Sequence, residues 1–310
     1  MARTRFLPDS GLTTRMTLVM FLLGGLFVAL VVGIMVAVRS PGLAMIVGVV
    51  GLGVAFFQWW TSDTMAMRAM RAREVTPQEA PELHGMVDRL CALADMPKPR
   101  VGVADMDLPN AFATGRSPKR AVVCVTTGLL RRLDAEELEA VLAHELSHVA
   151  HRDVMVMTIA SSAGIVAGMV TRGAQFGVFS GGGRSRNGKD GGGAAALVLA
   201  LLVSLVVYAI SFFLTRLLSR YRELCADRAG AYLTLKPAKL ASALQKITGE
   251  MASIPQRDLR TTRAMNAFFI APAISGATLS TLTSSHPSLE QRLEQLARIQ
   301  SDLSRPGPGA

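Results

Sequence analysis

Ala143-His144-Glu145-Leu146-Ser147-His148 is the stretch on which the reading of this chain turns. Two histidines four residues apart bracket a glutamate, and what they can do depends on whether they lie on a helix. The residues just upstream answer that. Asp134 can accept from the first free amides of a helix, and Glu137, three residues on, can reach back to the Asp134 amide as a capping box. Leu138, Val141, Leu142, Leu146 and Val149 then recur at helical spacing. Four residues of helix advance about 400°, so the two imidazoles share a face, about 6 Å apart in rise. Imidazoles so placed can bind one zinc ion, with Glu145 beside the open coordination position, where it can take a proton from a water that the ion has acidified. The bland rival is an amphipathic helix with two surface histidines and a solvated glutamate.

A catalytic zinc takes three protein ligands and keeps one position open. Position 154 is Val, which excludes a further histidine six residues after His148. His151 lies within about 60° of both histidines in projection. It sits a turn beyond His148, however, and one straight helix does not easily wrap three ligands around an ion, so a supporting place in the second shell suits it better. His286 lies far downstream in a His-Pro-Ser turn. The best candidate is Glu223, in Tyr221-Arg222-Glu223-Leu224-Cys225-Ala226-Asp227. Glu223 and Asp227 share a helical face, so the first can bind the ion while the second orients an imidazole through its other nitrogen. The rival reading is a surface carboxylate pair answering Arg220, Arg222 and Arg228.

Half of the 310 residues are hydrophobic and the net charge is +10. The apolar residues collect in runs at 17–38, 42–61, 154–171 and 194–215, which points to a membrane protein. The first two, separated by Arg39-Ser40-Pro41, read as a transmembrane hairpin ending in the interfacial pair Trp59-Trp60. A signal peptide is excluded by the length of the first run and the presence of the second. Arg68, Arg71 and Arg73 follow the hairpin while its turn carries only Arg39, so the positive-inside rule sets the N-terminus and everything after Trp60 in the cytoplasm. The third and fourth runs, joined by a Gly-rich loop, read as two more crossings or as a re-entrant pair. Arg172, Arg184, Arg186 and Lys189 in that loop cut against full crossings, so either the first hairpin dominates the topology or this pair dips in without spanning. Either way the chain returns to its starting side, about 10 Å of helix from each ligand set. With few aromatics and no basic face, nucleic acid is not a partner. Three cysteines make no spaced pair, which fits a reducing compartment.

Between the hairpins, short strands at 101–104, 110–115 and 121–126 follow a helix over 77–96, which predicts a small antiparallel sheet ahead of the zinc helix. Asn110, Ala111, Phe112 and Ala113 can hold an extended peptide by main-chain pairing, or can be purely structural. Two amphipathic helices, over 238–251 and 288–301, precede a Pro/Gly tail. The expected organisation is an N-terminal hairpin over 1–62, a first catalytic part over 63–153, a second hairpin over 154–215 and a second catalytic part over 216–310.

His144-Glu145-Leu146-Ser147-His148 taken with Arg222-Glu223-Leu224-Cys225-Ala226-Asp227 resembles the HtpX family of membrane zinc metalloproteases, relatives of the CAAX prenyl endopeptidases. The paired N-terminal apolar runs, Asn110-Ala111-Phe112-Ala113-Thr114-Gly115, and His286-Pro287-Ser288 with Arg292 look like that family too, so the resemblance covers nearly the whole chain. The Gly-rich loop at 180–193 is longer than the family pattern. The resemblance implies a mostly α membrane protein with four apolar helices and a zincin-like α+β catalytic domain. It implies one Zn2+ per chain on His144, His148 and Glu223, with Glu145 as general base and Asn110 onward as the substrate-side strand. His286 and Arg292 either help stabilise the oxyanion or are structural, His286 as a cap of the last helix. The function so implied is cleavage of misfolded or damaged membrane proteins by a multi-pass protein of the plasma (inner) membrane whose catalytic domain faces the cytoplasm. Two rivals remain. A prenyl-protein peptidase shares the chemistry but carries more apolar crossings, and a non-catalytic zinc-binding scaffold would need no general base.

Overall fold

The computed structural model describes residues 10–38, 41–159, 164, 166–168, 192–253 and 286–305. Expectations that fall on residues 1–9, on 39–40, on 160–163, 165 and 169–191, and on the tail at 306–310 lie outside them. The chain divides into two compact units, one of Thr13–Trp60 with Val156–Leu218, the other of Thr61–Met155 and Ser219–Ala310 with Met1–Leu12.

The first unit is built from α1 (Ser10–Val38), α2 (Pro41–Trp60) and the apolar beginning of a long helix, here numbered α7 (Gly192–Thr234). Val19 and Leu23 pack with Val156 and Leu218, and Leu30 packs with Val166, Ala167 and Val207. Most of the apolar surface faces outward, Phe21 at 78% exposure, with Val28, Val49, Phe57 and Val198 alongside. A soluble core helix would bury such residues. Four apolar helices are expected from the sequence. Among the described residues two stretches, Ser10–Gly33 and Leu201–Thr234, are long and apolar enough to cross a membrane. The run at 42–61 becomes α2, an uncharged helix of 20 residues, and the run at 154–171 lies partly outside the described residues. A single helix of 43 residues carries both the apolar run and the Glu223 motif, because no Gly or Pro interrupts it between Leu201 and Ala229.

In the second unit, α3 (Ser62–Ala69) leads into strand β1 (Ala72–Glu74), then α4 (Pro81–Ala94), β2 (Arg100–Ala104), β3 (Ala111–Thr114), a 3-10 turn, and β4 (Val122–Thr126). Helices α5 (Thr127–Arg132) and α6 (Ala135–Ala150) follow, and after α7 come α8 (Pro237–Ser253) and α9 (Leu289–Ser304). The sheet runs in the order β1-β2-β4-β3. It is mixed, which corrects the antiparallel expectation: β2 and β4 are parallel, with β1 and β3 antiparallel on the two edges. The reason is visible in β4 itself. Val122-Val123-Cys124-Val125-Thr126 is apolar at successive positions, the pattern of a strand covered on both faces, so it takes the centre and β3 is placed beyond it. One face packs Val101, Val123 and Val125 against Val87 and Leu90 of α4 and against Leu138, Val141, Leu142 and Leu146 of α6. The other face packs Phe112, Val122 and Cys124 against Ala66, Met67 and Met70 around α3. Burial of each such large side chain contributes about 1.5–3 kcal/mol, and α6 lies inside this core along nearly its whole length.

Candidate metal centre

Helix α6 starts where the sequence places it. The Asp134 carboxylate accepts from the Glu137 amide at 2.8 Å and Glu137 accepts from the Asp134 amide at 2.9 Å. Glu137 also takes Ser242 and Lys246 from α8, each at 2.7 Å, so the cap ties the helix to its neighbour. Burial alone would raise the Glu137 pKa, but Lys246, Ser242 and the Asp134 amide outweigh it and hold the carboxyl below its ordinary value.

Two turns further on, His144 and His148 present Nε2 to Nε2 at 3.2 Å, their rings nearly perpendicular. Glu223, delivered from α7, stands 3.6 Å from His144 Nε2 through Oε2 and 3.5 Å from His148 Nε2 through Oε1. Donor atoms of these three residues lie within 4.8 Å of one another, close enough to hold a metal ion. The surface-pair reading of Glu223 and Asp227 fails, since both are buried, Asp227 completely. Glu145, 4% exposed, accepts a hydrogen bond from the Ala113 amide at 3.0 Å. Burial pushes its pKa upward, against the pull of the two histidines.

Asp227 Oδ1 is 2.9 Å from His144 Nδ1, which leaves Nε2 turned toward Glu223. Arg292, from α9, grips the same carboxylate at 2.7 and 2.6 Å. His286 Nδ1 lies 3.2 Å from Glu223 Oε2. The cap of α9 is not His286 but Ser288, whose hydroxyl accepts from the Gln291 amide while the Gln291 side chain returns to the Ser288 amide. His151 ends α6, and its Nδ1 donates to the Ser147 carbonyl at 2.8 Å.

Sequence reasoning missed two features here. Asp153 places Oδ2 2.5 Å from His148 Nδ1 and 2.6 Å from Arg222. Gly230 is where α7 touches α6, and a Cβ there would meet the His144 amide nitrogen at 2.9 Å. A signal for Gly230 existed: Glu223, Asp227 and Gly230 fall at i, i+4 and i+7, one stripe of the helix.

The residues fit a divalent cation. Glu145, Asp153, Glu223 and Asp227 are four buried carboxylates facing two buried guanidiniums, Arg222 and Arg292. When the imidazoles are neutral, the negative charge left over is matched by one doubly charged ion. The field acts on His144 in the same sense. Burial would lower its pKa, yet Asp227 and Glu223 lift it to about 10. Among the described residues, Glu223 Oε2 also lacks a hydrogen bond of ordinary geometry.

Strand β3 is an edge strand beside Glu145. Because Asn110 accepts from Thr126 and Phe112 pairs with Cys124, the peptide groups of Ala111 and Ala113 point off the sheet. Asn110, Ala111 and Phe112 are buried, and Ala113, Thr114 and Ser117 line a cavity of about 10 Å³ together with His148 and Asp153.

A His-Glu-x-x-His helix, a glutamate delivered from a second helix and an edge strand alongside define a metallopeptidase. Comparison with known proteins agrees. The profile of Peptidase family M48 matches residues 77–300. Protease HtpX homolog 1 of Streptomyces coelicolor is 52% identical over 309 residues, covering 99% of both chains. Protease HtpX homolog of Moorella thermoacetica is 50% identical over 298 residues, covering 95% of this chain and 96% of the other. Among solved structures, that of S. mikatae Ste24p shares the fold at a TM-score of 0.50 with 18% identity, over 93% of this chain and 66% of that one. The chain belongs to peptidase family M48, and its near relatives are HtpX proteases.

Proposed function

We propose that the protein is a membrane-embedded zinc endopeptidase that cleaves polypeptides, misfolded or damaged membrane proteins among them. The observation that carries this reading is the convergence of His144, His148 and Glu223 beside Glu145, whose carboxylate also touches the edge strand. Two imidazoles and one carboxylate form a donor set that suits catalytic zinc. Bound there, the ion would act as a Lewis acid toward the scissile carbonyl and lower the pKa of the attacking water.

The protein's own groups supply the rest. An extended substrate pairs with the outward peptide group of Ala111 and the carbonyl of Ala113, which lays its backbone across Glu145. Glu145 removes the proton from the water and passes it to the departing amine. Its pKa, raised by burial, makes the carboxylate a better acceptor of the proton from water. Asp227 fixes the His144 tautomer, and Arg292 keeps Asp227 ionised and in place. His286, whose Nδ1 is 3.2 Å from Glu223, would serve as a donor for charge that develops on the substrate oxygen.

The outward-facing apolar residues of α1, α2 and α7 support a bilayer around the first unit. The four apolar runs would cross as two hairpins, with the catalytic residues in the cytoplasm, facing substrates at the plasma membrane. Glu145→Gln tests the chemistry. The variant is expected to retain zinc and lose casein-type proteolysis by at least about 100-fold; wild-type turnover in that variant would remove the general base from the account.

A further inference from the structure

We propose that Asp153, gripped by Arg222, is the positioning residue of His148: it holds the imidazole proton on Nδ1 and so aims the Nε2 lone pair at the metal. This rests on the zinc site proposed above and adds a residue pair to it. A neutral imidazole has one donor and one acceptor, and the partner of one nitrogen decides the role of the other. His148 Nδ1 lies 2.5 Å from Asp153 Oδ2, and His148 Nε2 faces both His144 and Glu223.

The form of the ion pair argues that it serves the histidine. Free of other duties, a guanidinium and a carboxylate settle into two parallel hydrogen bonds, as Arg292 and Asp227 do. Arg222 instead takes Oδ2, the oxygen that His148 also uses, while Asp153 Oδ1 and Arg222 Nε have no hydrogen-bond partner among the described residues. The carboxylate is thus turned toward His148 at the expense of a second bond to arginine. Both partners are buried, Asp153 at 3% exposure, so the contact is not diluted by solvent.

Local geometry explains how Asp153 gets there. Helix α6 ends at His151, and Arg152 adopts φ 56°, a left-handed turn that folds the chain back and brings Asp153 under the ring of His148. Arg222 directly precedes Glu223 on α7. The same link therefore ties the exit of the helix bearing two ligands to the helix bearing the third.

The test is a double-mutant cycle on the full-length protein purified in detergent, read as zinc affinity by chelator competition. Asp153→Asn in the wild-type background is expected to weaken zinc binding about 10–100-fold. In a His148→Ala background the same change is expected to cost less than about 2-fold, because the residue it acts through is gone. An equal loss in both backgrounds, or no loss in either, overturns the proposal. Should Asp153→Asn fail to fold, Arg222→Ala in the same two backgrounds asks the same question with the same two outcomes. If His148→Ala itself leaves zinc affinity unchanged, the zinc site proposed above is what fails, and the positioning role falls with it.

Discussion

Two arms hold the metal-facing histidines, and they are built differently. His144 is backed by Asp227 and Arg292, where the guanidinium closes a two-bond clasp on a carboxylate with no solvent exposure. His148 is backed by Asp153 and Arg222 through a single shared oxygen. The first arm joins α6, α7 and α9 across more than a hundred residues of sequence. The second comes from a turn five residues past its own histidine. The contrast teaches that one histidine is oriented wholly by distant elements and the other by a neighbouring residue that a single contact to Arg222 secures, so damage to the two arms should read out differently.

The largest effect is expected in the first arm. Asp227→Ala removes the two-bond clasp on the buried Arg292 guanidinium, and should lower stability by about 3–5 kcal/mol together with zinc affinity. Thermal unfolding of the zinc-free protein measures the first part. Asp153→Asn should move that unfolding transition far less while still weakening zinc. Equal destabilisation by the two changes would erase the distinction between the arms.

Gly230→Ala sharpens the same comparison. A methyl group 2.9 Å from the His144 amide nitrogen has only backbone to push against, so α6 and α7 must separate, at about 1–3 kcal/mol. Zinc affinity should fall in step, because Glu223 and Asp227 ride on the displaced helix. A variant with unchanged unfolding and unchanged affinity would show that the close crossing is not needed.

Glu137→Gln probes the far end of α6. The folded-state pKa of Glu137 is depressed, so its contribution is fully present above the unfolded value near 4.5 and is lost as pH falls through the folded value. Wild type should exceed the variant by about 1–3 kcal/mol at pH 7, and the gap should close on acidification below pH 4.5. A gap that widens in acid would contradict the sign. The smallest effect is expected in the second arm: Arg152→Gly relieves a left-handed residue while loosening the unfolded chain, and should stay within about 1 kcal/mol of wild type. Chemical denaturation at neutral pH checks it.

Much of the site was legible because it is written in helical periodicity. The capping box at Asp134 and Glu137, the face shared by His144 and His148, and the four-residue step from Glu223 to Asp227 all follow from 3.6 residues per turn, and all three stand in the structure. What escaped was set by backbone reversal and by non-local pairing. Asp153 follows a residue with positive φ, a reversal of the backbone that apolar periodicity does not register. The strand pattern predicts a small antiparallel sheet, whereas the doubly apolar β4 takes the centre, parallel to β2. The three residues of β1 are too few to carry a pattern. The capping role near His286 belongs to Ser288, two residues along, where the hydroxyl reaches the third amide of α9.

The central claim is that one ion is shared by three side chains from two helices. Its most direct test is the zinc content of the purified full-length protein beside that of Glu223→Ala. The account predicts about one zinc per chain in the wild type and a large loss on removing Glu223. Undiminished zinc in Glu223→Ala would contradict it and return the third coordination position to His151 or His286.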